Sequence, residues 1–195
     1  MRKLRTDVNS AAAMILELIK ERKRPSVLLA IDGRCGSGKT TLAGVLAERA
    51  GAQVVHMDDF YLRPEQRTPE RYAEPGGNVD RERMLEEVLR PLRGQGQAVY
   101  RPYDAHRQVM LEPVRLESPP VTVIEGSYSC HPELRGYYDI RIFLDISPEE
   151  QLKRILRRNG PEGLDMFRSR WIPLEEEYFQ EFRPDRDCDR CFELE

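Results

Sequence analysis

No apolar run in the sequence approaches the about 18–20 residues that a membrane-crossing helix needs. No basic block is present either. The 31 Lys and Arg are matched by 34 Asp and Glu, for a formal net charge of −3. That balance argues against nucleic acid as a partner and gives no basic surface for a membrane. Gly (13) and Pro (14) stay near background, which excludes collagen-like and low-complexity chains. The four cysteines are too few for a disulfide framework in 195 residues. Cys188 and Cys191 form a Cys-x-x-Cys with no second such pair to close a zinc site. Cys130 and His131 would complete one only through the fold. Reduced cysteines in a cytoplasmic protein are expected. The basic start followed by Ala11–Leu16 imitates a signal peptide, but Glu17, Lys20 and Glu21 interrupt it. An amphipathic helix from Val8 to Lys23 is the expectation, and its exposure leaves room for a homo-oligomer.

What remains is short, dense apolar runs separated by charged segments. Ser26–Asp32, Gln53–Met57, Val121–Glu125, Ile140–Asp145 and Arg190–Leu194 read as strands, five in all, mostly buried on both faces. Helical spacing follows from Thr40 to Ala50, from Asp80 to about Leu92, after Ser147 and from about Leu164 to Phe182. Ser147-Pro-Glu-Glu150 is a helix start by its cap, its proline and its third-position Glu. Residues 63–78 carry enough Pro and Gly to read as a loop, and 97–120 as an irregular excursion or hairpin. Glu175, Glu176, Glu177 and Glu181 read as a solvated helix face. Strands alternating with helices predict one α/β domain with a mainly parallel sheet and helices on both faces. A ligand is then expected at the carboxyl ends of the strands.

Gly33-Arg-Cys-Gly-Ser-Gly-Lys-Thr40 matches G-x-x-x-x-G-K-[ST] between a buried strand and a helix. Gly33, Gly36 and Gly38 let the backbone curl, so that N–H groups from Arg34, Cys35, Ser37 and the residues to Thr41 point at phosphate oxygens. Lys39 supplies charge to the β- and γ-phosphates, and the Thr40 hydroxyl can ligate Mg²⁺. The expected fold is therefore a P-loop NTPase-type three-layer α/β/α sandwich with a five-stranded sheet and a short lid. One domain spans 1–195: an N-terminal helix over 1–24, a core over 25–195, acceptor-binding excursions over about 62–80 and 97–120, and a lid over about 157–171. No Asn-Lys-x-Asp guanine-reading motif and no Leu-Ser-Gly-Gly-Gln signature is present, which removes GTPases and transport ATPases. Asp58 ends the second strand, where a carboxylate can orient an acceptor hydroxyl and take its proton. Glu125 ends the third, where a carboxylate can hold Mg²⁺ or its water.

The phosphate loop, Asp58-Asp-Phe-Tyr61, Asn78-Val-Asp80, Arg101-Pro-Tyr-Asp104 and Ile124-Glu-Gly126, in this order and spacing, resemble the uridine kinase family. That family belongs to the phosphoribulokinase/uridine kinase group of P-loop kinases, and the resemblance covers roughly residues 25–160. It implies ATP- and Mg²⁺-dependent phosphoryl transfer to the 5′-hydroxyl of a nucleoside such as uridine or cytidine. By resemblance Asp58 is the catalytic aspartate, and Tyr61 belongs to the acceptor side. Asp80 binds the ribose hydroxyls, although it is equally a good N-cap. Tyr103 lines the base pocket, and His106 corresponds to the histidine that contacts the pyrimidine. Arg154, Arg158, Arg168 and Arg170 are the helix and lid arginines that reach the triphosphate. Two alternatives stay open: a kinase for another small alcohol (pantothenate, nicotinamide riboside or a sugar phosphate), and a nucleotide-binding regulatory module.

Overall fold

The computed structural model describes residues 3–117 and 119–195. Met1 and Arg2, part of the basic start, and Ser118, inside the second excursion, lie outside the described residues. Strand β1 (Leu4–Thr6) is followed by helix α1 (Val8–Glu21), β2 (Val27–Gly33), α2 (Lys39–Ala50) and β3 (Gln53–His56). A 3-10 turn (Met57–Phe60) leads into the first excursion, with helix α3 (Pro69–Tyr72). Helix α4 (Arg81–Arg83) continues through a π-helical stretch (Met84–Leu89) into α5 (Arg90–Gln95). Strands β4 (Ala98–Tyr100), β5 (Tyr103–Asp104), β6 (Val109–Met110) and β7 (Val114–Leu116) come next, then β8 (Val121–Glu125), α6 (Pro132–Arg135) and β9 (Ile140–Asp145). Helix α7 (Pro148–Met166), a π-helical turn (Phe167–Trp171), α8 (Ile172–Phe182) and β10 (Arg190–Leu194) complete the chain.

The central sheet has six strands in the order β1-β10-β9-β2-β8-β3, every pair parallel. The expectation of five strands is corrected by β1. This three-residue edge strand has too little apolar content to read as a strand and forms by pairing Leu4–Thr6 with Phe192–Leu194. Strand β2 is buried along its whole length between β8 and β9. Its side chains alternate between the two faces. Leu28 and Ala30 join a core with Met57, Phe60, Phe143, Tyr178 and Phe179. Val27, Leu29 and Ile31 join the opposite core with Ala12, Ile15, Leu42 and Leu46 of α1 and α2. Helix α1 is thus part of the sandwich, capped by Asp7 on the backbone N–H groups of Asn9 and Ser10.

The first excursion is better ordered than its proline and glycine content suggests. An antiparallel bridge between Tyr61 and Val79 closes its neck. Arg71 stitches its interior, donating to the carbonyls of Gly77 (2.8 Å) and Val79 (2.9 Å). The second excursion forms two small antiparallel pairs, β4 with β7 and β5 with β6. The expected short lid is a bend in a longer helix. Gly160, with φ 72° and ψ −178°, interrupts α7, and the chain re-enters helix at once. No described helix is long and apolar enough to cross a membrane. All four cysteines are buried and unpaired, and no cluster of three His, Cys, Asp or Glu able to hold a metal occurs among the described residues.

His131 shows how this core constrains acid stability. It is buried beside Tyr178 and Phe182 and caps α6 by accepting from the Glu133 N–H. Burial, with Arg81 nearby, lowers its pKa to about 4. Above the ordinary histidine value of 6.5 both states are neutral and nothing is lost. As pH falls from there towards 4, the unfolded chain takes up a proton that the folded chain refuses, so stability drops by on the order of 3 kcal/mol. His131→Asn keeps a cap acceptor and removes the titration. Urea unfolding should show a smaller loss between pH 7 and 4.5 in the variant than in the parent chain.

Candidate active site

The loop between β2 and α2 is fixed by glycine where no side chain fits. At Gly33, φ is 140° and a Cβ would lie 2.0 Å from the Leu144 carbonyl oxygen. Gly38, at φ 98°, stands at the N-cap of α2 and leaves that helix end with no side-chain cap. Uncapped N–H groups and the helix dipole make the turn a site for anions. Lys39 is nearly buried and donates to the carbonyls of Gly33 (2.8 Å) and Arg34 (2.9 Å) and to Ser127 Oγ (3.3 Å). Ser37 Oγ is buried with no hydrogen-bond partner. Burial, helped by Glu175, pushes the Cys35 thiol pKa up, so it is no thiolate nucleophile.

Asp32, immediately before the loop, is fully buried. Its carboxylate accepts from the N–H groups of Gly33 (2.7 Å), Tyr128 (3.0 Å) and Cys130 (2.9 Å) and from the Tyr178 hydroxyl (2.8 Å). Burial raises its pKa against the hydrogen bonds from Cys130, Tyr178 and Gly33 and the Lys39 charge. Sequence reading passed over Asp32 as a strand terminus, although an acidic residue inside an apolar run was a signal for it.

On the other side of the loop, Thr40 Oγ1 lies 3.1 Å and His56 Nδ1 2.6 Å from Glu125 Oε1. The hydrogen bond to Glu125 raises the His56 pKa. Thr40 and Glu125 form an all-oxygen pair beside the phosphate turn, a donor set that suits Mg²⁺. His56 is a neighbour that sequence reading did not assign. Asp58 is exposed to the cavity, whereas Asp59 is half-buried and accepts from the Tyr100 hydroxyl (3.1 Å). Burial and the adjacent Asp58 carboxylate hold the Tyr61 phenol pKa well above its ordinary value.

Several of these groups line one cavity of about 340 Å³; Asp32, Ser37, His56 and Asp59 do not. Cys35, Gly36, Gly38, Lys39, Thr40 and Thr41 form its loop side, with Arg154 and Arg158 from α7. Glu125 and Asp58 face it from β8 and the turn after β3. Tyr61, Asn78, Tyr128, Phe167 and Trp171 supply the rest of the wall, together with Glu175. Arg154 donates to the Leu194 carbonyl (2.9 Å) and Glu150 (3.0 Å). Arg158 lies over the Phe167 ring at 5.6 Å. The π-helical turn Phe167–Trp171 meets the first excursion across the mouth: the Tyr61 and Trp171 rings are 6.1 Å apart, and Arg170 sits 5.2 Å from the Tyr72 ring.

The other sequence-assigned residues lie outside that lining. Gly33, Arg34 and Ser37 belong to the loop but sit behind it; Arg34 reaches Asp145 (2.9 Å) and Glu176. Asp80 is buried, caps α4 through the Arg83 N–H (3.1 Å) and accepts from Gln66 (2.8 Å). Tyr103 is buried with an unpartnered hydroxyl, and His106 sits in an exposed turn. Arg168 is exposed, and Arg170 packs on Tyr72 and Trp171. One reading is corrected. Glu175 is not on a solvated face but 3% exposed, accepting from the Cys35 N–H (3.0 and 3.1 Å) and from Ser127 Oγ (2.5 Å).

The Asp32 node generates a stability prediction. Asp32→Asn turns an amide donor towards backbone donors and should destabilise the fold by roughly 3 kcal/mol. Tyr178→Phe removes a single donor and should cost only about 1 kcal/mol. Urea unfolding of the two variants measures the difference.

A family model described as an AAA domain matches residues 29–178. A possible uridine kinase from Bacillus stearothermophilus superposes with a TM-score of 0.70 at 22% identity, over 95% of this chain and 96% of its own. A candidate fructose transport system kinase from Silicibacter sp. TM1040 gives 0.69 at 19% identity, over 96% and 98%. YFH7 from Saccharomyces cerevisiae, a candidate P-loop kinase with a circular permutation, gives 0.65 at 13%, over 90% and 95%. At these identities the likeness is one of fold, the α/β/α sandwich of P-loop kinases. With the family match running from β2 through α8 and spanning the cavity, the chain belongs to the AAA domain family.

Proposed function

We propose that this chain is a phosphotransferase that moves the γ-phosphoryl group of ATP to a hydroxyl of a small molecule, with the 5′-hydroxyl of a nucleoside as the acceptor. The observation that carries the reading is the pairing, in one cavity, of a phosphate-loop side (Lys39, Thr40, Glu125) with a separate exposed carboxylate, Asp58. A binding module that used nucleotide only as a switch would not require that second carboxylate.

The residues present suit the nucleotide and the metal. The curled loop, the uncapped start of α2 and the buried Lys39 ammonium would hold the phosphates, and Thr40 with Glu125 would hold Mg²⁺. Bound there, ATP supplies the phosphoryl group and Mg²⁺ supplies charge to neutralise it. Asp58 orients the acceptor hydroxyl and takes its proton. Arg154 and Arg158 add positive charge from α7. Phe167 and Trp171 keep water out, and with Tyr61 they give a flat ring such as a nucleobase an aromatic surface to lie against. The resemblance to uridine kinases supports the nucleoside assignment.

ADP release measured with ATP, Mg²⁺ and a panel of nucleosides and other alcohols tests the proposal. Turnover with a nucleoside is expected, and tight ATP binding with no turnover on any alcohol would overturn it. Asp58→Asn cannot accept a proton, so kcat should fall by about 10²–10⁴-fold with ATP affinity retained. Near-parental turnover would remove Asp58 from the role of base.

A further inference from the structure

Lys39 is held by the chain before any ligand reaches it. Its ammonium carries three hydrogens and has three acceptors: the Gly33 carbonyl (2.8 Å), the Arg34 carbonyl (2.9 Å) and Ser127 Oγ (3.3 Å). Two of these are the loop's own backbone. The third comes from just beyond β8, where Gly126 turns the chain at φ 140° with no room for a side chain: a Cβ there would lie 2.6 Å from that of Met57. Glu125 and Ser127, on either side of this glycine, meet neighbouring loop residues, Thr40 (3.1 Å) and Lys39. The Ser127 hydroxyl has one hydrogen and two oxygens in reach, Glu175 Oε1 at 2.5 Å and the Gly33 carbonyl at 3.2 Å. The charged and closer acceptor takes it, which leaves the Ser127 lone pairs to Lys39. Glu175 also accepts the Cys35 N–H with both oxygens, at 3.0 and 3.1 Å. One buried carboxylate from α8 thus fixes a backbone amide of the loop and, through a hydroxyl, the direction of its lysine.

We propose that Glu175 is a positioning residue for the phosphate site: acting through Ser127 on Lys39 and directly on Cys35, it holds the loop in the shape that takes a nucleotide's phosphates. The proposal rests on the nucleotide-binding part of the kinase reading, and not on the acceptor or on turnover. Electrostatics alone would predict the opposite role. A buried carboxylate beside a polyanion site repels the phosphates, so deleting its charge would strengthen nucleotide binding. Positioning predicts that the loss of preorganisation outweighs that gain. Glutamine separates the two, because it removes the charge and nearly keeps the shape. Its amide has one oxygen for two sites. With the NH₂ group against the Cys35 N–H, two donors face each other. With it against Ser127, it takes a lone pair that serves Lys39. Either orientation releases one of the two loop contacts.

Calorimetric titration of ADP with Mg²⁺ into the full chain tests this. Glu175→Gln should weaken ADP binding by about tenfold, against the electrostatic sign. Ser127→Ala removes the link to Lys39 alone, should weaken binding by about fivefold, and decides the matter if Glu175→Gln fails to fold. Lys39→Met supplies the readout that a merely structural contact would not move. If Ser127 acts through the Lys39 ammonium, Ser127→Ala added to Lys39→Met changes ADP affinity by less than about twofold, whereas independent effects would multiply. Tighter or unchanged ADP binding in either folded variant would overturn the proposal. So would an undiminished loss from Ser127→Ala in the Lys39→Met chain. A parent chain that binds no ADP would sink this proposal and the kinase reading together. The expected changes in a chain that turns over no alcohol would sink the kinase reading and leave Glu175 in its role. Turnover on an alcohol, with ADP binding unmoved by both variants, would do the reverse.

Discussion

The fully buried carboxylate of Asp32 is the constraint on which the site depends. It gathers donors from three segments far apart in sequence: the loop entrance at Gly33, the turn after β8 at Tyr128 and Cys130, and helix α8 at Tyr178. A buried carboxylate is costly unless its oxygens are satisfied, so the three segments are held in one arrangement or the cost returns. That arrangement places Ser127 against Lys39 and brings Glu125, at the end of β8, to Thr40. Cavity-lining groups from the loop and from β8 therefore share one anchor, which does not itself line the cavity.

Helix α8 extends the same anchor towards the lid. Glu175 and Tyr178 are three residues apart and share a helix face, so the side that reaches Asp32 also reaches the Cys35 N–H. Glu176 and Phe179 form a second pair at the same spacing. Glu176 bonds the Arg34 guanidinium, and the Phe179 ring lies 5.1 Å below it. Two residues of the phosphate loop are thus clamped by one helix, and that helix begins where the lid turn Phe167–Trp171 ends. Any displacement of the turn that shifted the start of α8 would load these contacts directly. The left-handed Gly160 lies on the other side of the lid, inside α7, where backbone rotation is least costly.

The layers and the loop were legible because they follow from short-range rules. Continuous apolar runs gave the buried strands, Ser147 and Pro148 started α7, and the glycine pattern between strand and helix marked the phosphate turn. Edge strand β1 was illegible because Leu4–Thr6 pairs along only one side and carries a single large apolar residue. The burial of Glu175 was equally hidden. In sequence it is one of three consecutive glutamates, and only docking of α8 on the loop distinguishes it from Glu177, which stays exposed. Asp80 carried two signals at once, and its geometry realises the cap. Tyr103 and His106 were placed by resemblance alone, and no periodicity could say how the two small antiparallel pairs fold relative to the cavity.

Charges of both signs around one cavity are tolerable because they are partitioned among neighbouring groups. Arg34, in the loop but outside the cavity lining, is paired with Asp145 and Glu176, so it adds little field inside the cavity. Lys39, Arg154 and Arg158 are the cations that line the cavity, with the positive end of the α2 dipole beside them. Glu175 is offset by the Cys35 N–H and, through Ser127, by the Lys39 ammonium, which makes its burial affordable without a direct ion pair. The near-neutral total of the chain thus conceals charges of both signs around one cavity, where Asp58, Glu125 and Glu175 stand with Lys39, Arg154 and Arg158.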